Sequence, residues 1–167
     1  MTLTPLLAAP PAIQIHVSAA LLAIALGPLA LFRRSRDGLH MTAGAAWVAS
    51  MATLAISGFF INGLAVIGPF GPIHLLSILV LGGLVDAIRH LIAGRGREHG
   101  RAMKSLYFQA LGIGGLFTVL PGRTMSRVLF GEATWLGWVV IATGLTLVML
   151  TWWRSGKIGL HIRRPSR

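Results

Sequence analysis

The residues of this chain best suited to chemistry are its histidines, His16, His40, His74, His90, His99 and His161, together with Asp86, Tyr107, Arg123 and Arg127. Imidazole ligates metals and moves protons near neutral pH. Two histidines on different helices at one depth can bind a haem iron axially, with the macrocycle in a slot between the helices. His16 with His74 is the better pair to hold the metal, since both have apolar sequence on either side. His40 with His99, each at the beginning of an expected helix, is a candidate second site or a proton-handling pair. Arg123 and Arg127 would lie near the outer pair, where propionates or an anionic headgroup could bind. A quinone pocket is the other cofactor option, with Asp86 or Tyr107 bonding the ring. Two histidines without thiolates or carboxylates make a poor zinc cage. Asp86 with Arg89 or His90 reads more simply as an ion pair at i+3 or i+4. For every histidine there is also a plain reading, an interfacial side chain bonded to a neighbouring carbonyl, which is favoured for His90 and His161.

These residues are positioned by five apolar runs, expected as spanning helices over 12–32, 40–61, 72–92, 102–120 and 135–153. The first has 21 positions, enough for a hydrocarbon core of about 30 Å. Gly27-Pro28 should kink it near its end. Asn62–Gly71 carries Gly63, Gly68, Pro69 and Gly71, which reads as a loop. The fourth helix has a basic foot that starts at Glu98, and on it His99, Met103 and Tyr107 share a face at i, i+4 and i+8. After Pro121-Gly122-Arg123, Thr124–Gly131 is a short amphipathic pattern, expected to lie in the interface. Trp135, Trp138, Trp152 and Trp153 bracket the last run as aromatic anchors.

The composition agrees. The chain has 167 residues, of which 54% are hydrophobic and 11% charged, far from the roughly one quarter charged of a soluble domain. The sequence therefore predicts an all-α, polytopic transmembrane helix bundle in one domain. The net charge of +11 sits in short clusters between apolar runs, so the partner is the lipid bilayer and no nucleic acid is expected. Cysteine is absent, which removes disulfides, thiolate metal sites and iron–sulfur clusters. Met1–Pro11 has no basic residue, so no cleaved leader is expected. Thirteen of the Lys and Arg residues fall on one side of this arrangement and two on the other. The positive-inside rule then puts the N-terminus outside and the C-terminus inside, in a bacterial inner membrane.

Two helix faces carry small residues beside a histidine. One is His16, Ala20, Ala23, Gly27 and Ala30; the other is His40, Gly44, Trp47, Met51 and Gly58. Small residues let helices approach closely or leave room for a bulky group. Close packing is the simpler meaning, and the histidines raise the case for a cofactor slot.

Several of these pieces, taken together, resemble the small bacterial integral membrane proteins grouped as domain of unknown function 2306. They are His16 ahead of Gly27-Pro28-Leu29, His40 with Gly44, Ile73-His74-Leu75-Leu76, the run HGRAMKSLY from His99 to Tyr107, Phe117-Thr118, and Pro121-Gly122-Arg123. The family pattern often has His-Arg where this chain has His40-Met41 and His99-Gly100. The resemblance implies a helical membrane protein and brings no established activity. A looser architectural likeness is to di-haem cytochromes b. The leading functional expectation is a b-type haem or a quinone held between helices for membrane electron transfer. The alternatives are a non-catalytic subunit or assembly factor of a larger respiratory or redox complex, and a small proton-linked transporter. No nucleophile–base–acid set for hydrolysis is visible.

Overall fold

The computed structural model describes residues 2–61, 68 and 70–161. Among them the regular elements are helices: α1 (Thr4–Leu7), α2 (Pro11–Leu31), α3 (Gly38–Gly58), α4 (Pro72–Ile92), α5 (Gly96–Thr118), α6 (Thr124–Phe130) and α7 (Leu136–His161). Most of the loop expected at 62–71, and the tail 162–167, lie outside the described residues, as do the side chains of Trp152, Trp153 and His161. The chain divides into two compact units, Thr4–Phe117 and Thr118–Arg167 with Met1–Leu3.

Helix starts follow local chemistry. Pro11 and Pro72 stand in the first turns of α2 and α4, where a missing N–H removes no intrahelical bond. Asp37 caps α3, accepting from the backbone N–H of His40 at 3.1 Å. Arg33 bonds the same carboxylate through two nitrogens. The turn before α6 is a Leu120–Arg123 turn closed by the Arg123 N–H on the Leu120 carbonyl at 3.2 Å. Pro121 supplies its fixed φ, and Gly122 takes a φ of 83°, as a type II turn requires.

Three helices, α2, α3 and α4, are long and apolar enough to cross a membrane. The fourth expected span does not qualify in the same way. α5 holds Arg97, Glu98, Arg101 and Lys104 in its first turns, so only Ser105–Thr118 is free of charge. Those positions rise about 21 Å, short of the hydrocarbon core. In α7 the apolar stretch among the described residues covers Leu136–Leu147, and the sequence stays uncharged as far as Trp153.

Packing in the first unit is inverted relative to a water-soluble bundle. Its interior is built from small residues: Ala19, Ala23, Gly27, Ala30, Ala43, Ala55, Ala87 and Ala110, with Ser50, Ser57 and Ser77. Trp47 and Met51 are the most deeply sealed large side chains among them, and Val80, Leu84 and Met103 are buried as well. Leu21, Leu22, Leu75, Leu79 and Ile92 point outward, Ile92 with 82% of its surface exposed. In hydrocarbon there is no drive to hide leucine, so helices associate through backbone approach at small residues. Ser50 and Ser57 return their hydroxyls to carbonyls one turn back, Ala46 and Thr53, which keeps them satisfied at depth.

Candidate functional site

The helices alternate in direction, and this sorts the polar residues to two ends. At one end the start of α2, the end of α3 and the start of α4 bring His16, Ser57, Gly58, His74 and Ser77 together. At the other, the end of α4 and the start of α5 carry Asp86, His90 and His99, and α3 begins with His40.

Four histidines, His16, His40, His74 and His99, have a hydrogen-bond partner that fixes the tautomer. The His16 Nδ1 is 2.9 Å from the Leu54 carbonyl on α3. A carbonyl only accepts, so Nδ1 carries the proton and Nε2 keeps its lone pair. His99 does the same to the Ala87 carbonyl on α4, also at 2.9 Å. These are interhelical ties, the plain reading given above. His74 is the opposite case: its Nδ1 accepts from the Gly71 backbone N–H at 3.1 Å, so a neutral ring carries its proton on Nε2. Its ring is buried, with Phe59 and Phe70 edge-on at centroid distances of 6.1 and 5.4 Å. His40 Nε2 accepts from Arg36 at 3.0 Å, while its Nδ1 is buried with no partner among the described residues.

An axial haem ligand needs a neutral ring with the binding lone pair free and the other nitrogen donating. His16 meets that condition and His74 does not. At the other end His99 meets it, and the Nε2 of His40 is occupied by Arg36. Neither expected pair presents two matching lone pairs. Among the described residues no group of three or more histidine and carboxylate side chains comes together that could hold a metal ion.

The small-residue faces are covered at Gly27 and Gly58, while a side chain at Gly44 would meet nothing. The Tyr107 ring lies over Gly27 so closely that any side chain there would collide with it. Pro28 has no N–H to give the Ile24 carbonyl, and the Tyr107 hydroxyl donates to that carbonyl at 3.3 Å. Gly27-Pro28 and Tyr107 thus form one joint between α2 and α5. The ring also packs near Trp47, at a centroid distance of 6.5 Å. Tyr107 is therefore committed to the bundle and its hydroxyl already has an acceptor. At Gly58 the space of a side chain is taken by the Ser77 hydroxyl.

An open space lies elsewhere. A groove of about 330 Å³ runs between α4 and α5, lined by Leu76, Leu79, Val80, Ala110 and Ile113 with Asp86, Ser105 and Gln109. The Asp86 carboxylate is 65% exposed and lies 3.5 Å from the His90 Nε2, one turn nearer the helix end. Among the described residues no side-chain hydrogen bond forms at Ser105 or Gln109. Asp86 sits on a spanning helix, about 9 Å from its end. The groove was partly legible in the sequence: Asp86 stood out, but Ser105 and Gln109, four apart on α5, were missed. Their spacing on an otherwise apolar face is the signal that could have found them.

Arg123 and Arg127 belong to the second unit. Arg123 caps α6, and partial burial pulls its guanidinium below the ordinary value; it stays charged. Arg127 donates to the Gly122 carbonyl at 3.3 Å. Ser126 is fully buried, and its hydroxyl has no partner among the described residues.

Comparison with known proteins returns no match among curated proteins and none among solved structures. A family profile described as "Predicted membrane protein (DUF2306)" does match, over residues 13–153. That stretch covers α3, α4, α5 and α6 whole, with nearly all of α2. It also takes in His16, the Gly27-Pro28/Tyr107 joint, the groove residues and the turn at Pro121-Gly122, so this chain belongs to the DUF2306 family of predicted membrane proteins.

Proposed function

We propose that this membrane protein binds a quinone-type ring in the α4–α5 groove and serves electron transfer in the bilayer. The observation that carries the reading is the set Asp86, Ser105 and Gln109 in an otherwise apolar groove on a spanning helix and its neighbour. Ionisable and amide groups facing hydrocarbon are expensive, and they mark functional positions. A membrane-soluble ring with carbonyl or hydroxyl oxygens satisfies them, while its isoprenoid tail lies along Leu76, Leu79 and Ile113. Gln109 and Ser105 donate to a ring oxygen. Asp86 accepts from a quinol hydroxyl, and His90 beside it offers the next proton station toward the helix end.

The same reading takes α5 and α7 as the fourth and fifth crossings, with the N-terminus outside and the C-terminus inside a bacterial inner membrane. The thirteen-to-two distribution of Lys and Arg supports that orientation.

The test is titration of decyl-benzoquinone, oxidised and reduced, into folded protein in mild detergent, followed by thermal shift. Saturable stabilisation is expected in the native protein, and its loss in Asp86→Leu and in Gln109→Leu. Absence of saturable binding in protein that melts cooperatively would sink the reading.

Haem b is the second reading, and the free Nε2 of His16 and of His99 favours it. It requires the His74 ring to exchange its Gly71 bond for the other tautomer. A flat reduced-minus-oxidised visible spectrum from folded, haem-supplied protein would remove it. Sharp α and Soret bands that vanish in His16→Ala would establish it.

A further inference from the structure

We infer that the end of the bundle where α2 stops and α5 begins is a binding site for an anionic phospholipid. Two stretches far apart in sequence meet there. On α5, Arg97, Arg101, Lys104 and Phe108 recur at i, i+4, i+7 and i+11, and all four are exposed. On α2, Phe32 caps the helix. The two are joined by ring contacts. Phe32 meets Phe108 edge-on at a centroid distance of 6.0 Å and Tyr107 at 6.3 Å. The Lys104 ammonium lies 5.5 Å from the centre of the Phe32 ring, a cation–π distance. Arg33, Arg34 and Arg36 follow Phe32 directly, so the fold sets their loop beside the basic stripe of α5.

The charge of this patch is uncompensated. Asp37 is taken by Arg33, and Glu98 is half-buried and off the exposed stripe. Arg34, Arg97, Arg101 and Lys104 make no ion pair among the described residues. Phe32 ends a spanning helix, so the basic groups lie at headgroup level and the exposed rings of Phe32 and Phe108 at the top of the acyl chains. A phosphodiester bearing net negative charge, with two chains below it, matches both halves of the patch. A zwitterionic headgroup carries its own cation into the basic cluster and matches only the apolar half. Basic clusters next to a spanning helix attract anionic lipid, each Lys or Arg adding to the pull.

The test reconstitutes the full chain into bilayers of phosphatidylcholine alone or of equimolar phosphatidylcholine and phosphatidylglycerol. The melting temperature and the lipid retained in native mass spectrometry are then compared. Phosphatidylglycerol should raise the melting temperature and remain bound, and added salt should weaken its retention. In the double variant R101Q/K104Q, retention should fall by about tenfold or more, while R101K/K104R and Arg89→Gln, on α4 and outside the stripe, keep it. Equal retention of both lipids, or unchanged retention in R101Q/K104Q, overturns the proposal. Equal stabilisation by inorganic phosphate in detergent also overturns it, since the acyl chains would then play no part. If R101Q/K104Q fails to fold, the salt dependence of the native protein decides: retention insensitive to salt overturns the proposal.

Discussion

The two seams that α5 makes with its neighbours treat small residues differently. Against α2, Gly27 is covered by the Tyr107 ring, and the carbonyl freed by Pro28 is bonded by the same side chain. Against α4, the Leu106 side chain reaches Gly83, yet a groove stays open beside it with a carboxylate, an amide and a hydroxyl along its wall. Glycine and alanine beside a histidine were a reasonable reason to expect a slot for a macrocycle. At Gly27 and Gly58 they mark contact, because a small residue allows a side chain from the next helix to reach the backbone. The candidate site is marked instead by Ser105 and Gln109, whose side chains form no hydrogen bond among the described residues, and by the Asp86 carboxylate, 65% exposed beside them.

Substitutions on the two seams should therefore behave in opposite ways. The largest effect is expected for Gly27→Leu, which forces Tyr107 out of its seat. Overpacking of this kind typically costs about 1–3 kcal/mol, and with the tyrosine displaced a sharp drop in melting temperature or loss of monodisperse protein should follow. Tyr107→Phe removes only the hydroxyl and strands the Ile24 carbonyl, an effect of about 1–3 kcal/mol visible as a lower midpoint with unchanged helicity by circular dichroism. On the open seam, Asp86→Leu should leave the midpoint unchanged or raise it, while quinone affinity falls by about tenfold or more, the scale of a lost hydrogen bond to a charged group. A lowered midpoint in Asp86→Leu would make that carboxylate structural and erase the contrast between the seams.

A smaller effect is expected at the α3 cap. The Arg33 side chain, and then the His40 backbone N–H, hold the Asp37 carboxyl well below the usual carboxylate range. A carboxyl lowered on folding contributes stability above its unfolded value and loses it as pH falls through its folded one. The native protein should thus exceed Asp37→Asn in melting temperature at neutral pH. That margin should shrink as the medium is taken below about pH 4. A constant margin down to strongly acidic pH would show that the Arg33–Asp37 pair contributes nothing beyond a neutral cap.

Much of the architecture could be read from the chain. The apolar runs gave α2, α3 and α4 closely, since a stretch of about 20 apolar residues has few other fates. The helical foot expected at Glu98 is present and begins at Gly96, and the short amphipathic segment is α6. His99, Met103 and Tyr107 do line the inner side of α5, where the first ties to Ala87, the second is buried and the third locks α2. The charge of the α5 foot, also plain in the sequence, is what keeps that helix from meeting the length and apolarity of the other three.

By itself, then, the sequence determined a helical membrane protein, the borders of α2, α3 and α4, and the ends of those helices and of α5 at which His16, His40, His74, His90 and His99 lie. These depend on hydropathy, on proline and acidic caps, and on the direction in which successive helices run. The tertiary structure alone decided what each polar group is bonded to. The partners of His16, His99 and Tyr107 are backbone carbonyls of other helices, and a carbonyl has no letter in the sequence. Its availability depends on which residue lies beside it in space and on whether a proline four positions on has left it free.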